Sequence, residues 1–225
     1  MAGRVARADA AVKCALRRRW TARIASGLAL AMSVACHRGT AAVSRSSSPA
    51  ADRMLVVVVR HAEKAPEPAN DPVLSAAGMA RARALDSALS TLAITDVVVS
   101  HLQRTRLTAA PFIERTHAQL HVVPIGAAGV AAHVHAVADT VRAISRMLGR
   151  VGVLVVGHSN TVTLIVDSLS HIASPALCDS QYSQLFTVRQ QSNSQAPMTM
   201  TRVSYGVADV PDPACATPAA GMLRR

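Results

Sequence analysis

The chain has 225 residues, half of them hydrophobic and 2% aromatic, with a formal net charge of +11. That is enough for one domain of ordinary size with a core of Ala, Val, Leu and Ile. Residues 1–35 carry seven Lys/Arg against one Asp, +6 of the +11. Most of the high pI is therefore a property of the N-terminus and weak evidence for a nucleic-acid binder, and five aromatic residues offer little stacking surface, so no nucleic-acid partner is expected.

In chain order, Arg17-Arg18-Arg19-Trp20 and Arg23 precede the apolar run Ile24–Ala35, IASGLALAMSVA. Its length suits a signal-peptide core and is short for a bilayer span. Ser33-Val34-Ala35 followed by Cys36 resembles a bacterial lipoprotein signal, with Cys36 as the lipidated first residue. Plain secretory cleavage at the same bond and an uncleaved anchor are the alternatives. The expectation is an exported protein, periplasmic or in the cell envelope. Membrane contact would come only through a lipid or the signal segment. Residues 36–52, rich in Ser, Ala and Pro, read as a flexible tether. In an oxidising compartment Cys178 and Cys215 could pair, but the spacing does not show that they are close.

A folded domain is expected over 53–206, with a loose tail over 207–225. Four β-branched runs read as strands buried on both faces: Leu55–Arg60, Asp96–Ser100, Gln119–Pro124 and Val153–Gly157. Helices are predicted from a Ser75 cap through Leu89, over Gln103–His117 with a kink or restart at Pro111, over Ala136–Leu148, and over Ser159–His171. Gln184–Gln190 and Met198–Tyr205 alternate apolar and polar residues, as in an antiparallel hairpin on a sheet edge. The predicted fold is an α/β three-layer sandwich with a mainly parallel sheet and helices on both faces.

Ligands of open α/β sheets collect at the carboxyl ends of the strands. His61 ends the first strand, after Arg60. His158 ends the fourth, directly before Ser159 and a helix. The stretch SHLQRTRLTA puts Arg104 and Arg106 near the same rim, about 200° apart on a helix, so one of them serves the pocket. Arginine forks suit phosphate oxygens, and a neutral imidazole can attack phosphorus.

RHAEK (Arg60–Lys64), SHLQRTRLTA (Ser100–Ala109) and GHSNT (Gly157–Thr161), in this order, resemble the histidine phosphatase superfamily, also called phosphoglycerate-mutase-like. LSAAGMARA (Leu74–Ala82) is similar to the family's helix after the first loop. The resemblance covers Leu55 to about Phe186 and has Ala62 where the family motif has Gly. It implies that His61 is a nucleophile forming phosphohistidine, that Arg60 and Arg104 clamp the phosphate, that His158 hydrogen-bonds the transferring group and that Ser159 opens a helix whose amides help hold phosphate. It implies no cofactor and no metal. The implied partner is a phosphorylated small molecule or phosphoprotein.

The chain departs from that pattern in its acid. The loop Pro124–Ala136 has no carboxylate, and the residue after His158 is Ser159 rather than Asp. Glu63, Asp71 and Asp139 remain as the candidate carboxylates. Arg106 reads as a solvated helix residue, and His133 and His135 as exposed loop residues rather than a metal pair. His117 and His121 are scattered, and Lys64 is a surface or rim charge. The leading function is hydrolysis of phosphomonoesters or phosphohistidine. A non-catalytic phospho-ligand binding module is the alternative, and a phosphomutase ranks third.

Overall fold

Val56 to Val59 are four consecutive side chains with no exposed surface. Only a strand covered on both faces buries such a run. In the computed structural model, which describes residues 52–148, 151–191 and 197–215, this segment is the heart of β1, Asp52–Arg60. The expected signal segment 1–35, the expected tether up to residue 51 and Cys36 lie outside the described residues.

The other strands are β2 (Asp96–Val99), β3 (Gln119–Val122), β4 (Val151–Gly157), β5 (Gln184–Gln191) and β6 (Thr199–Ser204). They form one sheet in the order β3-β2-β4-β1-β5-β6. The first four are parallel, and β5 and β6 add as an antiparallel hairpin at one edge. Side-chain alternation sorts the valines between two cores. Val56, Val58, Val98, Val153 and Val155 pack against α3 (Gly129–Leu148) and α4 (Val162–Ser170). Val57, Val59, Val97, Val99 and Val156 pack with Leu85 and Phe112 of α1 (Ala76–Ala88) and α2 (Gln103–Thr116). The result is the expected α/β sandwich.

Helix α1 begins where its chemistry directs: the Ser75 hydroxyl accepts from the Gly78 amide at 3.1 Å. Gly78 lies so close to the Glu63 backbone that any Cβ would overlap the Glu63 carbonyl. Helix α2 runs through Pro111 without restarting. Pro111 lacks an amide proton, but buried Ala109 and Phe112 flank it and hold the helix on the sheet.

Three expectations are corrected here. Strand β3 is an edge strand with mostly exposed residues, because only β2 pairs with it. Helix α3 starts at Gly129, seven residues before Ala136, because Val130, Val134, Val137 and Val141 already form a helical stripe on the sheet. His133 is therefore a buried helix residue, not an exposed loop residue, whereas His135 is exposed. The tail is not loose as far as Cys215. Arg81 donates to the Val207 carbonyl at 2.9 Å, and Cys215 forms a disulfide with Cys178. Closing a separation of 37 residues restricts the unfolded chain by about 3–4 kcal/mol.

Candidate active site

The parallel register of β1 and β4 pairs Val59 with Val156 and Arg60 with Gly157. The next residue on each strand is a histidine, so the ladder itself delivers His61 and His158 side by side. The His61 amide continues it by donating to the Gly157 carbonyl at 2.9 Å. The two rings, each 5% exposed, lie 5.3 Å apart at 62°.

His61 Nδ1 is 2.8 Å from the Ala62 carbonyl oxygen. A carbonyl only accepts, so Nδ1 carries the proton and Nε2 keeps its lone pair. The Ala62 amide donates to Thr108 Oγ1 at 2.9 Å, and that hydroxyl donates to the Arg104 carbonyl at 2.7 Å. This ties the end of β1 to the first turn of α2. Ala62 is fully buried in a small cluster with Leu74 and Ala82.

His158 Nε2 lies 3.1 Å from Ser100 Oγ, at the end of β2, and Ser100 Oγ lies 3.0 Å from Thr105 Oγ1. The His158 amide donates to Thr161 Oγ1 at 2.9 Å, and its carbonyl accepts from the Thr161 and Val162 amides, both at 3.0 Å. These bonds close a turn, so α4 begins at Val162 and Ser159 does not open it, contrary to expectation. Gly157 permits the turn by close approach, since a Cβ there would sit 2.9 Å from Thr161 Oγ1. Ser159 and Asn160 still line the cavity.

Arg104 faces the cavity and Arg106 is exposed, as helical spacing requires. Asp71 Oδ1 accepts from the Gln103 amide at 2.9 Å and lies 4.0 Å from Arg104 Nη1. Arg60 is buried. Its Nη1 donates to the carbonyls of Cys178, Asp179 and Gln181 at 3.1, 2.8 and 3.2 Å. Its guanidinium carbon stands 3.9 Å over the Tyr182 ring, and Nη2 is 3.7 Å from Asp179 Oδ1. The Nε atoms of Arg60 and Arg104 are both buried, and neither has a hydrogen-bond partner among the described residues. Two guanidinium groups lining one cavity fit an anion.

The cavity has a volume of about 920 Å³. Arg60, His61, Arg104 and His158 all line it, with Lys64 and Tyr182. Burial is the main force lowering the His61 pKa to about 4, partly opposed by the Ala62 hydrogen bond and assisted by Arg60, Arg104 and Lys64. Burial also lowers His158 to about 3, with help from His61 and Arg104. Both imidazoles are neutral at neutral pH, as nucleophilic attack requires.

The three candidate carboxylates are engaged elsewhere. Glu63 forms a bidentate pair with Arg81, whose Nε lies 2.9 and 3.0 Å from its two oxygens. Asp71 caps α2 and faces Arg104. Asp139 pairs with Arg142 on an exposed face of α3. Among the described residues, Asp179 is the one carboxylate lining the cavity, and its side chain is 92% exposed. His121 pairs with Asp96 at 2.7 Å, and His133 Nδ1 is 3.3 Å from the Pro124 carbonyl. No group of three metal-ligating side chains occurs among the described residues.

Sequence reasoning missed Ser100, Asp179 and Tyr182. Ser100 was legible in principle, since it ends β2 at the rim where ligands bind. Asp179 and Tyr182 belong to a segment without periodicity, and nothing local marks them.

Residues 56–125 match the model of the histidine phosphatase superfamily (branch 1), a span that includes His61 and Arg104 but not His158. No curated protein matches the chain. Among solved structures, the protein histidine phosphatase SixA complexed with tungstate is 21% identical, with a TM-score of 0.54 over 67% of this chain and 97% of that one. The alpha-ribazole phosphatase from Shigella flexneri is 16% identical, with a TM-score of 0.50 over 69% and 100% of the two chains. At these identities the likeness is one of fold.

Proposed function

We propose that this chain is a member of the histidine phosphatase superfamily, a hydrolase of phosphoric esters working through a covalent phosphohistidine on His61; the match over residues 56–125 and the shared fold support this reading. The observation that carries this reading is the pair of neutral imidazoles 5.3 Å apart in a cavity also lined by Arg60 and Arg104. In the first step the His61 Nε2 lone pair forms a bond to phosphorus. The bond from phosphorus to the leaving oxygen or nitrogen breaks, and its electron pair goes to the leaving group. Arg60 and Arg104 donate to the non-bridging oxygens, and His158 hydrogen-bonds the moving phosphoryl group. In the second step water attacks phosphorus, the N–P bond breaks, and inorganic phosphate and neutral His61 are restored.

The substrate class follows from the missing acid. Neither position that the resemblance implies for a proton donor carries a carboxylate, and Asp179 is in water. Leaving groups that depart without full protonation, such as imidazole, phenolate or phosphate, are therefore favoured. Losing general-acid help costs about 10²–10⁴-fold, so phosphohistidine and aryl phosphates should outrun alkyl phosphates by a comparable factor. A panel of leaving groups with rapid-quench trapping of acid-labile, base-stable phosphate on His61 tests both claims. Equal rates on alkyl and aryl phosphates would remove the leaving-group argument.

The absent acid also favours one other reading, a module that binds phosphorylated ligands without turnover. A chain that binds phosphate yet never labels His61 would be that module. We also propose export to the cell envelope, with lipid on Cys36. The Cys178–Cys215 disulfide supports an oxidising compartment. Cell fractionation with mass spectrometry of the N-terminal peptide checks it, and a cytosolic, unprocessed chain would refute it.

A further inference from the structure

We propose that the C-terminal segment 205–215 is a disulfide-closed strap that sets the phosphate-binding guanidinium of Arg60, making phosphate affinity depend on the Cys178–Cys215 bond. The proposal rests on the assignment of Arg60 to phosphate made above and concerns what orients it. A guanidinium on a flexible stem binds an oxyanion well only when its fork is already placed. Here the placing is done by one donor: Nη1 is shared among the carbonyls of Cys178, Asp179 and Gln181, with the Tyr182 ring against the plane. That leaves Nη2, 3.7 Å from Asp179 Oδ1, outside the carbonyl grip.

Residues 178–183 have no helix or strand to hold them. The segment after β6 holds them instead. The Asp209 carboxylate accepts from the Tyr182 and Ser183 amides at 2.7 and 2.8 Å, from Ser183 Oγ at 2.7 Å and from Gln184 Nε2 at 3.3 Å. Burial pushes the Asp209 carboxyl up, but these hydrogen bonds outweigh it and hold the group below its usual value. Four residues before the first of those amides, the disulfide ties Cys178 to Cys215, and the Cys178 carbonyl is itself one of the three acceptors for Arg60. The strap is in turn fixed to α1, since Arg81 Nη1 donates to the Tyr205 and Val207 carbonyls. The disulfide, the Asp209 carboxylate and the Tyr205 amide, which donates to the Ser183 carbonyl at 2.9 Å, thus link the C-terminal segment to the loop that orients Arg60. Asp209, Cys178 and Cys215 are positioning residues.

The test is titration of the full-length chain with orthophosphate by calorimetry, paired with steady-state hydrolysis of an aryl phosphate. The chains compared are the oxidised wild type, C178S/C215S, Asp209→Asn and the wild type reduced by dithiothreitol. Reduction delivers two electrons and two protons to the two sulfurs and oxidises the dithiol to its cyclic disulfide. Losing the placement of one charge-assisted phosphate contact should weaken orthophosphate binding about tenfold. KM should rise in proportion, kcat should change less, and the circular dichroism of the folded chain should stay the same. Reoxidation should restore the wild-type dissociation constant, and Asp139→Asn should leave it unchanged. If the double cysteine variant does not fold, Asp209→Asn and the reduced wild type give the same readout. Folded, reduced or substituted chains that bind orthophosphate as the oxidised wild type does would overturn the strap. A wild type that binds orthophosphate but never labels His61 sinks the catalytic reading and leaves the strap standing. One that binds no orthophosphate sinks both.

Discussion

The cavity has two walls that meet over Arg60 and are built by different means. One wall comes from β1, β4 and the first turn of α2. Its side chains stand at the ends of strands whose valines are fully buried, and their positions follow from ladder hydrogen bonds. The other wall, residues 176–182, has no regular structure and is held by a disulfide and the Asp209 carboxylate. Burying a valine contributes about 1.5–3 kcal/mol, and β1 alone buries four in succession. The first wall therefore resists local change, whereas the second depends on a few long-range linkages. Chemistry that tolerates no displacement sits on the first, and the grip on substrate is tuned by the second.

The sharpest way to break this comparison is His61→Ala. On the first wall the loss is of the reacting atom itself, and turnover should fall by roughly 10⁴–10⁶-fold with no phosphate trapped on the protein. Single-turnover quench with labelled substrate measures it. Activity within tenfold of wild type would refute the role of His61. Arg104→Ala should come next, lowering kcat/KM by about 10²–10³-fold through lost stabilisation of the equatorial oxygens. A drop no larger than that of Arg106→Ala would place the clamp elsewhere.

The pH profile sharpens the contrast further. A protonated imidazole has no lone pair to offer, so kcat/KM of the free enzyme should hold from neutrality down to about pH 5. It should then fall about tenfold per pH unit below the His61 value of about 4. The same depressed value has a stability sign. The unfolded chain binds protons at His61 and His158 near pH 6.5 while the folded chain does not. Stability is therefore full above about 6.5 and is lost as pH falls toward about 4. Urea unfolding at pH 7 and pH 5 measures this, and equal midpoints would contradict it. The smallest effect belongs to the second wall. Tyr182→Ala removes the ring under the Arg60 guanidinium and should raise KM about threefold to thirtyfold with little change in kcat. A kcat-only effect would mean that Tyr182 touches the reacting group instead.

How much of this was legible in the sequence depends on whether the signal is local. The strand VVVVR and the strand VLVVG announce themselves by β-branched runs, and each is followed by a histidine. Parallel pairing then makes their juxtaposition nearly automatic. Arg104 over Arg106 follows from helical angle alone. Ser159 was misplaced because the turn after His158 is closed by Thr161, and a hydroxyl accepting from an amide three residues back leaves little trace in composition. The early start of α3 was masked by two glycines and a proline, although the valine stripe was present from Val130. Nothing local distinguishes Tyr182, Asp179 or Asp209, because their partners lie far away in the chain.

By itself the sequence determined the α/β sandwich, the convergence of His61 and His158, and the choice of Arg104, since periodicity and strand ends are short-range consequences of backbone geometry. Only the tertiary structure decided that Cys178 meets Cys215, that the segment after Val207 is held down, and that Arg60 is gripped from behind by three carbonyls. Those contacts join residues whose separation carries no pattern. They form because the sheet seats the β5–β6 hairpin beside β1, which carries Arg60.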